Sequence, residues 1–343
     1  MKILGIESSC DDTSISIIDD KKNIIANDII SQNQIHKNYK GIVPELAARN
    51  HVLFIDKILT NILKKNNFKF TDIDLISATV GPGLIGGLLV GLTFAKTLSQ
   101  VNRIPFVGVN HLEGHALTAR LTNSVEYPFL LLLVSGGHSN FYFISEVNKY
   151  EFLGGTLDDA LGEAFDKVGN ILGLSFPGGP QLEIMAKKGN YKNINLPKPL
   201  INEKNLDMSF SGLKTAVINI RKKLIENDSI CGADIAASFQ KSVADILCRK
   251  ISLAIDVSLK KYDYFENVVV SGGVAANNYL RTKLKKTVEL KNKTIFFPPP
   301  KLCTDNGAMI AWAGFELYKK GVTTNLNIQA KPRWPLEKIG DRI

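Results

Sequence analysis

The sequence predicts an α/β protein made of two similar halves. Apolar, β-rich segments run directly into short polar or glycine-rich turns at three places, which are 3–7 before Ser8–Ser14, 129–134 before Ser135–Gly137 and 268–270 before Ser271–Gly273. Such turns can present backbone amides and hydroxyls to a phosphate, although a single one is more often an ordinary polar turn. The ordered set of three favours a duplicated α/β domain that binds a nucleotide between its halves.

Length and composition fit two domains of a soluble protein. The chain has 343 residues, 45% of them hydrophobic, which is enough for two cores. The net charge of +9 is spread over small basic groups, which are usually solvated helix faces, although a diffuse basic surface also suits a polyanion such as RNA. Four cysteines without a C-x-x-C pair indicate a reducing compartment. The N-terminus does not resemble a signal peptide and the longest apolar stretch, 84–98, contains glycines and Lys96, so we expect a cytoplasmic protein without a membrane span.

Periodicity and turn residues place the elements of the first half. Strands are expected at 3–7, 15–18, 24–30, 74–80 and 104–109. Pro44 suits the first turn of a helix, and apolar residues then recur at helical spacing over 52–63. The glycine-rich turn 81–87 opens a second helix, whose N-terminus favours an anion. That turn lacks the Lys-Ser/Thr ending of a Walker loop, so the sequence implies no NTPase of that type.

The stretch Asn110–His115 is the strongest candidate for a metal site. His111 and His115 are four residues apart, so on a helix their side chains share one face and can clasp one ion. Without further context such a pair is more often a helix surface or a capped turn, but this pair directly follows the buried strand 104–109. Two histidines leave a first-row metal short of ligands, so a carboxylate from elsewhere in the chain is expected.

The order of residues beside the histidines argues against a zinc peptidase. Such enzymes need a glutamate directly after the first histidine, where it acts as general base. Here Leu112 occupies that position and Glu113 follows it, about a hundred degrees further round the helix.

The second half of the sequence alternates in the same way. A strand is expected at 141–145, and the acidic segment 156–167 reads as a helix whose carboxylates stabilise its positive end. The prolines and glycines of 176–180 break the chain, and 181–235 is polar enough to be an inserted subdomain. Asp305 precedes a helix of small apolar residues, where it is either the N-cap or the missing carboxylate ligand.

Nine motifs in this order closely resemble the TsaD family, also called the Kae/Gcp/YgjD family, in its bacterial or organellar form. The resemblance runs from Met1 to about Trp312, nearly the whole chain. The motifs are Gly5-Ile6-Glu7-Ser8-Ser9-Cys10-Asp11, Val43-Pro44-Glu45-Leu46-Ala47, Asn110-His111-Leu112-Glu113-Gly114-His115, Leu133-Val134-Ser135-Gly136-Gly137-His138, Ala164-Phe165-Asp166-Lys167, Pro177-Gly178-Gly179-Pro180, Ser209-Phe210-Ser211-Gly212-Leu213-Lys214, Ser271-Gly272-Gly273-Val274-Ala275-Ala276-Asn277 and Cys303-Thr304-Asp305-Asn306-Gly307-Ala308-Met309.

The resemblance implies an actin/Hsp70/sugar-kinase-like (ASKHA) fold with two duplicated lobes and with ligand and metal in the interlobe cleft. It implies a tRNA N6-adenosine threonylcarbamoyltransferase. This enzyme transfers the threonylcarbamoyl group from threonylcarbamoyl-AMP to N6 of the adenosine 3′ of the anticodon, in tRNAs that read codons beginning with A, and it releases AMP.

The resemblance also assigns site residues. One divalent ion, Fe²⁺ first and Zn²⁺ second, is expected on His111, His115 and Asp305. The adenylate is expected at Leu133, Val134, Ser135, Gly136, Gly137, Asp166, Gly179 and Asn277. Asp11 and Glu7 are the candidates for positioning substrate or assisting proton transfer. Leu133 stands where archaeal and eukaryotic relatives carry a tyrosine that can join the metal, which favours a three-residue site.

Domain boundaries and partners complete the expectations. We expect an N-terminal lobe at 1–125, a C-terminal lobe at 126–320 with a helical insert at about 150–240, and a tail at 321–343 that is either a surface arm or an RNA contact. The expected partners are tRNA, threonylcarbamoyl-AMP, a TsaB-like inactive paralogue and a TsaE-like small ATPase.

Three other functions stay open at this point. A metallopeptidase is disfavoured by the displaced Glu113. A small-molecule kinase or ATPase of the same fold would turn over nucleotide without tRNA. A non-catalytic regulatory partner would have no need of His111, His115 and Asp305, all of which are present.

Overall fold

A computed structural model describes residues 1–39, 41–226 and 231–342. The strands are β1 (Lys2–Glu7), β2 (Asp12–Asp19), β3 (Ile24–Ser31), β4 (Leu75–Gly81), β5 (Phe106–Asn110), β6 (Phe129–Val134), β7 (Ser139–Glu146), β8 (Lys149–Gly155), β9 (Asn267–Ser271) and β10 (Thr294–Phe296). The α-helices are α1 (Asn33–His36), α2 (Pro44–Lys65), α3 (Ile85–Asn102), α4 (His111–Thr122), α5 (Leu161–Ile171), α6 (Gly178–Ala186), α7 (Ser211–Glu226), α8 (Gly232–Lys261), α9 (Asn278–Glu289) and α10 (Gly307–Lys319). Short 3₁₀ helices lie at Lys37–Tyr39, Phe70–Asp72, Gly273–Ala276, Pro300–Leu302 and Leu336–Arg342.

Contacts divide the chain into two compact units. The first unit contains Met1–Ser124, Glu146–Tyr150 and Thr304–Ile343, and the second contains Val125–Ser145 and Glu151–Cys303. Each unit holds a mixed five-stranded sheet with a buried core.

The sheet of the first unit has the strand order β3-β2-β1-β4-β5. β1, β2 and β3 form two antiparallel hairpins, whereas β4 and β5 run parallel to β1. All seven residues of β4 are buried, as expected for a parallel strand covered on both faces. The helix predicted from Pro44 is confirmed, with the proline in the first turn and with an apolar stripe buried along the helix.

The sheet of the second unit repeats this topology. Its order is β10-β9-β6-β7-β8, with β6 and β7 antiparallel and with β9 and β10 parallel to β6. Both sheets therefore have the same plan. Three strands that are consecutive in sequence lie side by side, and two later strands are added in parallel next to the first of them. The predicted duplication is confirmed by this shared order. Helix α8 lies at the centre of the second core and buries more than half of its residues.

The contact units divide the chain differently from the predicted boundary at residue 320. Helix α10 packs against β1, β2 and α4, so Thr304–Ile343 belongs to the first unit. Helix α10 lies close to β1 because both carry a glycine where they meet. A Cβ on Gly5 would lie only 2.1 Å from the Gly307 carbonyl oxygen. The region 150–240 holds the end of β8, α5 to α7 and the start of α8, apart from 227–230, which lie outside the described residues.

Within the described ranges, no helix has both the length and the apolar character needed to cross a membrane.

Candidate functional site

The two histidines lie where β5 passes into α4 in the first unit. Asn110 is the N-cap of α4, and its side-chain oxygen accepts a hydrogen bond from the Leu112 amide at 2.9 Å. His111 therefore begins the helix and His115 follows one turn later on the same face. Their ring centroids are 4.8 Å apart and the ring planes are nearly perpendicular. The predicted helical placement of the pair is confirmed.

Asp305 meets both histidines. Its Oδ1 atom lies 3.1 Å from His115 Nε2 and 3.5 Å from His111 Nε2. One ligand atom from each of the three residues fits within a span of 4.8 Å. The N-cap of α10 is Asn306, which accepts from the Met309 amide at 3.0 Å. Two neutral imidazoles and a carboxylate suit a divalent first-row ion, so this group could hold one.

Close packing of α4 on α10 brings the group together. A Cβ on Gly114 would lie 2.9 Å from Ile310 Cδ1 and 3.1 Å from Met309 Cγ. Glycine between the two histidines thus lets the helix that follows Asp305 approach α4. The sequence alone gave no reason for a glycine at that position.

Glu7 fixes the orientation of His111. The ring atom Nδ1 lies 3.0 Å from Glu7 Oε2 and 3.0 Å from Ser9 Oγ. Because a carboxylate only accepts, Nδ1 carries the proton and Nε2 is left for the side that faces Asp305. Glu7 is itself held, since it accepts from the Ser9 amide at 2.6 Å and from Thr79 Oγ1 at 2.5 Å. A carboxylate behind a histidine ligand is the usual outer support of a metal site.

His111 and Glu7 stabilise each other's charged forms. Burial disfavours the charged imidazole, but Asp305 and Glu7 outweigh it and raise the pKa of His111 to about 9. Burial also raises the pKa of Glu7, yet the charge of His111 and the hydrogen bond to it leave the Glu7 pKa below its ordinary value. A metal ion at His111 Nε2 would take the place of the second ring proton, the one that makes the imidazole charged.

The first polar turn is largely occupied by contacts within the unit. Ser8 Oγ donates to the Gly87 carbonyl at 2.9 Å. Ser8 and Ser9 are both almost fully buried. His51 of α2 holds the turn through the Cys10 carbonyl, 3.0 Å from its Nε2. The Ser8 and Ser9 hydroxyls are therefore engaged within the unit, as in an ordinary polar turn, and contact of the turn amides with a phosphate stays a prediction.

Two carboxylates of this turn are half-buried near Asp305. Burial and the charge of Asp305 raise the pKa of Asp11 above its ordinary value. Burial, Asp305 and Asp11 together raise the pKa of Asp12 to about 7. Asp11 and Glu7 thus differ, since Glu7 is fully enclosed whereas Asp11 keeps exposed surface. No sequence feature singled out Asp12.

Glu113 faces away from the metal ligands. The Tyr150 hydroxyl donates to Glu113 Oε1 at 2.6 Å, and the glutamate is completely buried. A general base for peptide hydrolysis must reach a bound water. This contact therefore adds to the sequence argument against a peptidase.

In the second unit the two Ser-Gly-Gly turns are neighbours. β6 and β9 pair in parallel with Leu133 opposite Ser271, so both turns leave the same edge of the sheet. Gly272 has a φ of +94°, and a Cβ there would lie 2.4 Å from the Val134 carbonyl oxygen. Only glycine fits this close crossing of the two turns.

The first of these turns is closed by its own backbone and open at its tip. The Ser135 amide donates to the His138 carbonyl at 2.8 Å, and the Ser135 carbonyl accepts from the Gly162 amide at 3.0 Å. Gly136 and Gly137 are exposed, and a Cβ at either would meet nothing within 4 Å. Leu133 and Val134 are buried in β6, so any contact from them to a ligand is through the backbone.

The remaining predicted substrate residues also lie in the second unit. Asp166 Oδ1 accepts from the Gly178 amide at 2.7 Å and from the Gly179 amide at 3.4 Å, at the start of α6. Asn277 caps α9 and donates from Nδ2 to Gln240 Oε1 at 2.9 Å. Gln240 also lines a cavity of about 370 Å³, and Glu183, Tyr191 and Tyr279 form part of its wall.

Known proteins match this chain over most of its length. The TsaD family model, described as tRNA N6-adenosine threonylcarbamoyltransferase, matches residues 23–312. The protein of that name from Rickettsia rickettsii (strain Sheila Smith) is 52% identical over 344 residues, which cover 99% of this chain and 100% of the relative. The one from Rickettsia bellii (strain OSU 85-389) is 53% identical over 340 residues, with 98% and 99% covered.

Among solved structures, HypF from T. kodakarensis matches with a TM-score of 0.61 at 15% identity, over 93% of this chain and 48% of that one. This likeness concerns the fold alone, and with the repeated sheet order it confirms the predicted ASKHA class. The family match and the full-length relatives lead to one conclusion. The chain belongs to the TsaD family of tRNA N6-adenosine threonylcarbamoyltransferases.

Proposed function

We propose that the chain transfers the threonylcarbamoyl group of threonylcarbamoyl-AMP to N6 of the adenosine 3′ of the anticodon, in tRNAs that read codons beginning with A. The names of the full-length relatives support tRNA as the substrate. The observation that carries the metal-dependent form of this proposal is the meeting of His111, His115 and Asp305, with Glu7 behind His111.

The reaction forms an N6–C bond and breaks two bonds, the C–O bond of the donor and one N–H bond of the amine. The N6 amine attacks the carbamoyl carbon of the donor, the bond from that carbon to the phosphate oxygen breaks, AMP leaves, and N6 loses a proton. An adenine amine is a poor nucleophile, so the donor must be polarised and its leaving phosphate stabilised. A divalent ion on His111, His115 and Asp305 would supply Lewis-acid polarisation and hold donor oxygens.

The residues of the second unit suit the adenylate. Exposed amides of Gly136 and Gly137 can donate to its phosphate, in the manner of other glycine turns that bind anions. Asp166, within α5, accepts from the amides at the start of α6, and Asn277 caps α9. Gln240 connects Asn277 to the 370 Å³ cavity, which is large enough for a nucleoside. We therefore keep Leu133–Gly137, Asp166, Gly179 and Asn277 as the proposed adenylate site.

Asp11 is the better candidate for proton transfer, and Glu7 for support of His111. A general base needs a pKa near the working pH and access to substrate. Burial and the charge of Asp305 raise the pKa of Asp11 and so favour proton uptake by this carboxylate, which also keeps exposed surface. Glu7 instead contacts Ser9, Thr79 and His111 inside the unit. Replacing Asp11 by asparagine should slow transfer with metal content unchanged. Unchanged turnover would remove Asp11 from the mechanism.

The ion is proposed to be Fe²⁺, with Zn²⁺ as the alternative, because a His₂-Asp donor set accepts both. A TsaB-like paralogue and a TsaE-like small ATPase are the proposed protein partners, and the cytoplasm is the proposed location.

The decisive experiment follows labelled threonylcarbamoyl from its adenylate to unmodified tRNA, with the partner proteins supplied. Wild type, His111→Ala and the control Asp20→Ala, which changes an aspartate paired with the N-terminal amine, are compared. We expect label on adenosine with wild type and the control, and almost none with His111→Ala. If His111→Ala transfers as much label as wild type, the transferase activity stands but the metal site has no part in it. ATP consumption without label on any tRNA would support a kinase or ATPase instead.

A further inference from the structure

The last part of the chain is packed along the first unit. We call residues 322–339 the C-terminal arm. The arm begins beside β5, where the Thr324 amide donates to the Phe106 carbonyl at 2.9 Å and Thr324 Oγ1 accepts from the Gly108 amide at 2.9 Å. Its later side chains Trp334, Leu336 and Ile339 are buried. The arm is therefore a structural part of the unit.

The arm then crosses the carboxyl end of β4. The Lys331 amide donates to the Val80 carbonyl at 2.8 Å, and the Pro332 carbonyl accepts from the Gly83 amide at 3.2 Å. A Cβ on Gly81 would lie 1.9 Å from the Lys331 carbonyl oxygen, so arm and strand are in direct backbone contact. β4 and β5 are neighbours, and the first metal-ligand candidate directly follows β5.

Asn110 joins the arm to the helix that carries the two histidines. Its oxygen accepts from the Leu112 amide, and its Nδ2 donates to the Trp334 carbonyl at 2.9 Å. Serine, threonine and aspartate also cap helices, but an amide supplies a suitably placed acceptor and donor together. Asn110 is fully buried, so water does not replace either bond readily.

We propose that residues 331–334 of the C-terminal arm, acting through Asn110, position the first turn of α4 and thereby set the affinity of the chain for its metal ion. Glu7 orients the ring of His111, and the arm orients the backbone from which that ring projects. Asn110 is a positioning residue. The inference rests on the metal site of the proposed function and adds a role for a segment to which no motif was assigned.

A double-mutant cycle tests the inference with Zn²⁺ alone as the probe. Asn110→Ser keeps a hydroxyl acceptor for the helix and replaces the amide group that bonds the arm by a shorter O–H group. Trp334→Ala keeps the acceptor carbonyl but removes the buried indole that holds this part of the arm in place. Because such outer contacts change metal affinity by about 10- to 100-fold, we expect each single variant to raise the Zn²⁺ Kd about 10-fold. The double variant should raise it little further, because Trp334→Ala loosens the segment that carries the acceptor carbonyl of the bond that Asn110→Ser changes.

Thr324→Val is the matched control. It removes the bond from the arm to Gly108 but leaves Asn110 and Trp334 intact. We expect a lower Tm with a Zn²⁺ Kd within about twofold of wild type, because the change lies outside the connection to α4. A control that weakens Zn²⁺ as much as Asn110→Ser would overturn the inference, since the arm would then act only through general stability.

The remaining outcomes are also decisive. Two results overturn this inference but leave the proposed function standing. One is a double variant whose Zn²⁺ Kd rises by the product of the two single effects. The other is a folded Asn110→Ser whose Zn²⁺ Kd is within twofold of wild type. A wild-type chain that binds neither Zn²⁺ nor Fe²⁺ overturns it together with the metal-dependent proposal. If Asn110→Ser does not fold, Asn110→Asp keeps the cap and the shape, and hydrogen exchange of residues 331–334 should then rise at least tenfold. Unchanged exchange in that variant overturns the inference.

Discussion

The two units present their candidate sites in opposite ways. In the first unit the site consists of side chains that are largely buried, with almost no exposed surface at His115 and Glu7 and with Asp305 partly exposed. In the second unit it consists of backbone turns, and Gly136 and Gly137 lie at an exposed tip. The difference indicates which substitutions each site tolerates. A side-chain site fails when a ligand or its support is removed, whereas a turn fails when a side chain is added.

Removal of a ligand should have the largest effect. His115→Ala takes one imidazole from the group of three and opens a cavity at a buried position. Because loss of an outer support alone costs about 10- to 100-fold, we expect loss of a ligand to lower metal affinity and tRNA modification by more than about 100-fold. Metal content and label transfer measure this. A variant that retains both would show that the buried group is structural only.

Removal of the support behind a ligand should have a smaller effect. Glu7→Gln keeps the shape and removes the charge that His111 meets at 3.0 Å. We expect metal affinity to fall about 10-fold with little change in the fold. Thr79→Val, which removes one donor to Glu7, is the matched milder variant, and its metal affinity should lie between those of wild type and Glu7→Gln. Equal affinities for all three proteins would contradict the role of Glu7.

Addition of a methyl group separates the two kinds of glycine in the second unit. Gly272→Ala forces a side chain onto a backbone with φ +94° and into the Val134 carbonyl, so we expect a loss of about 1–3 kcal/mol of stability. Gly136→Ala meets no protein atom and should leave the Tm unchanged. It should still weaken binding of threonylcarbamoyl-AMP, because the methyl group lies where a phosphate approaches. Unchanged adenylate affinity would remove Gly136 from the proposed site.

The smallest expected effect is a pH dependence at Asp12. Its pKa is about 7 in the folded chain, against an ordinary value of 3.8. The folded state therefore holds the proton more tightly, so this group makes stability fall as pH rises from 3.8 to 7, and the cost is complete above pH 7. Asp12→Asn should be roughly 1–2 kcal/mol more stable than wild type at pH 8, with the gap closing towards pH 4. Denaturant titrations at both pH values check this, and a constant gap would contradict it.

Much of the fold follows from local patterns in the sequence. The strand predicted at 24–30 is observed as Ile24–Ser31, and the one at 74–80 as Leu75–Gly81. Both were visible because alternation and apolar runs are properties of neighbouring residues. The i,i+4 pair His111 and His115 was visible for the same reason. Local sequence cannot distinguish a helix cap from a metal ligand at Asp305, because its partner His115 lies 190 residues away.

Local residue patterns are enough to predict the α/β class, the repeated strand-and-turn pattern and the histidine pair, because each depends on residues close together along the chain. The side chains that support the pair come from distant segments and are recognised only once the chain is folded. Glu7 meets His111 across 104 residues, and Trp334 meets Asn110 across 224. The contact of Tyr150 with Glu113 and the burial of the C-terminal arm arise in the same way. Such contacts depend on how strands and helices pack, and no local periodicity records the pairing of two distant segments.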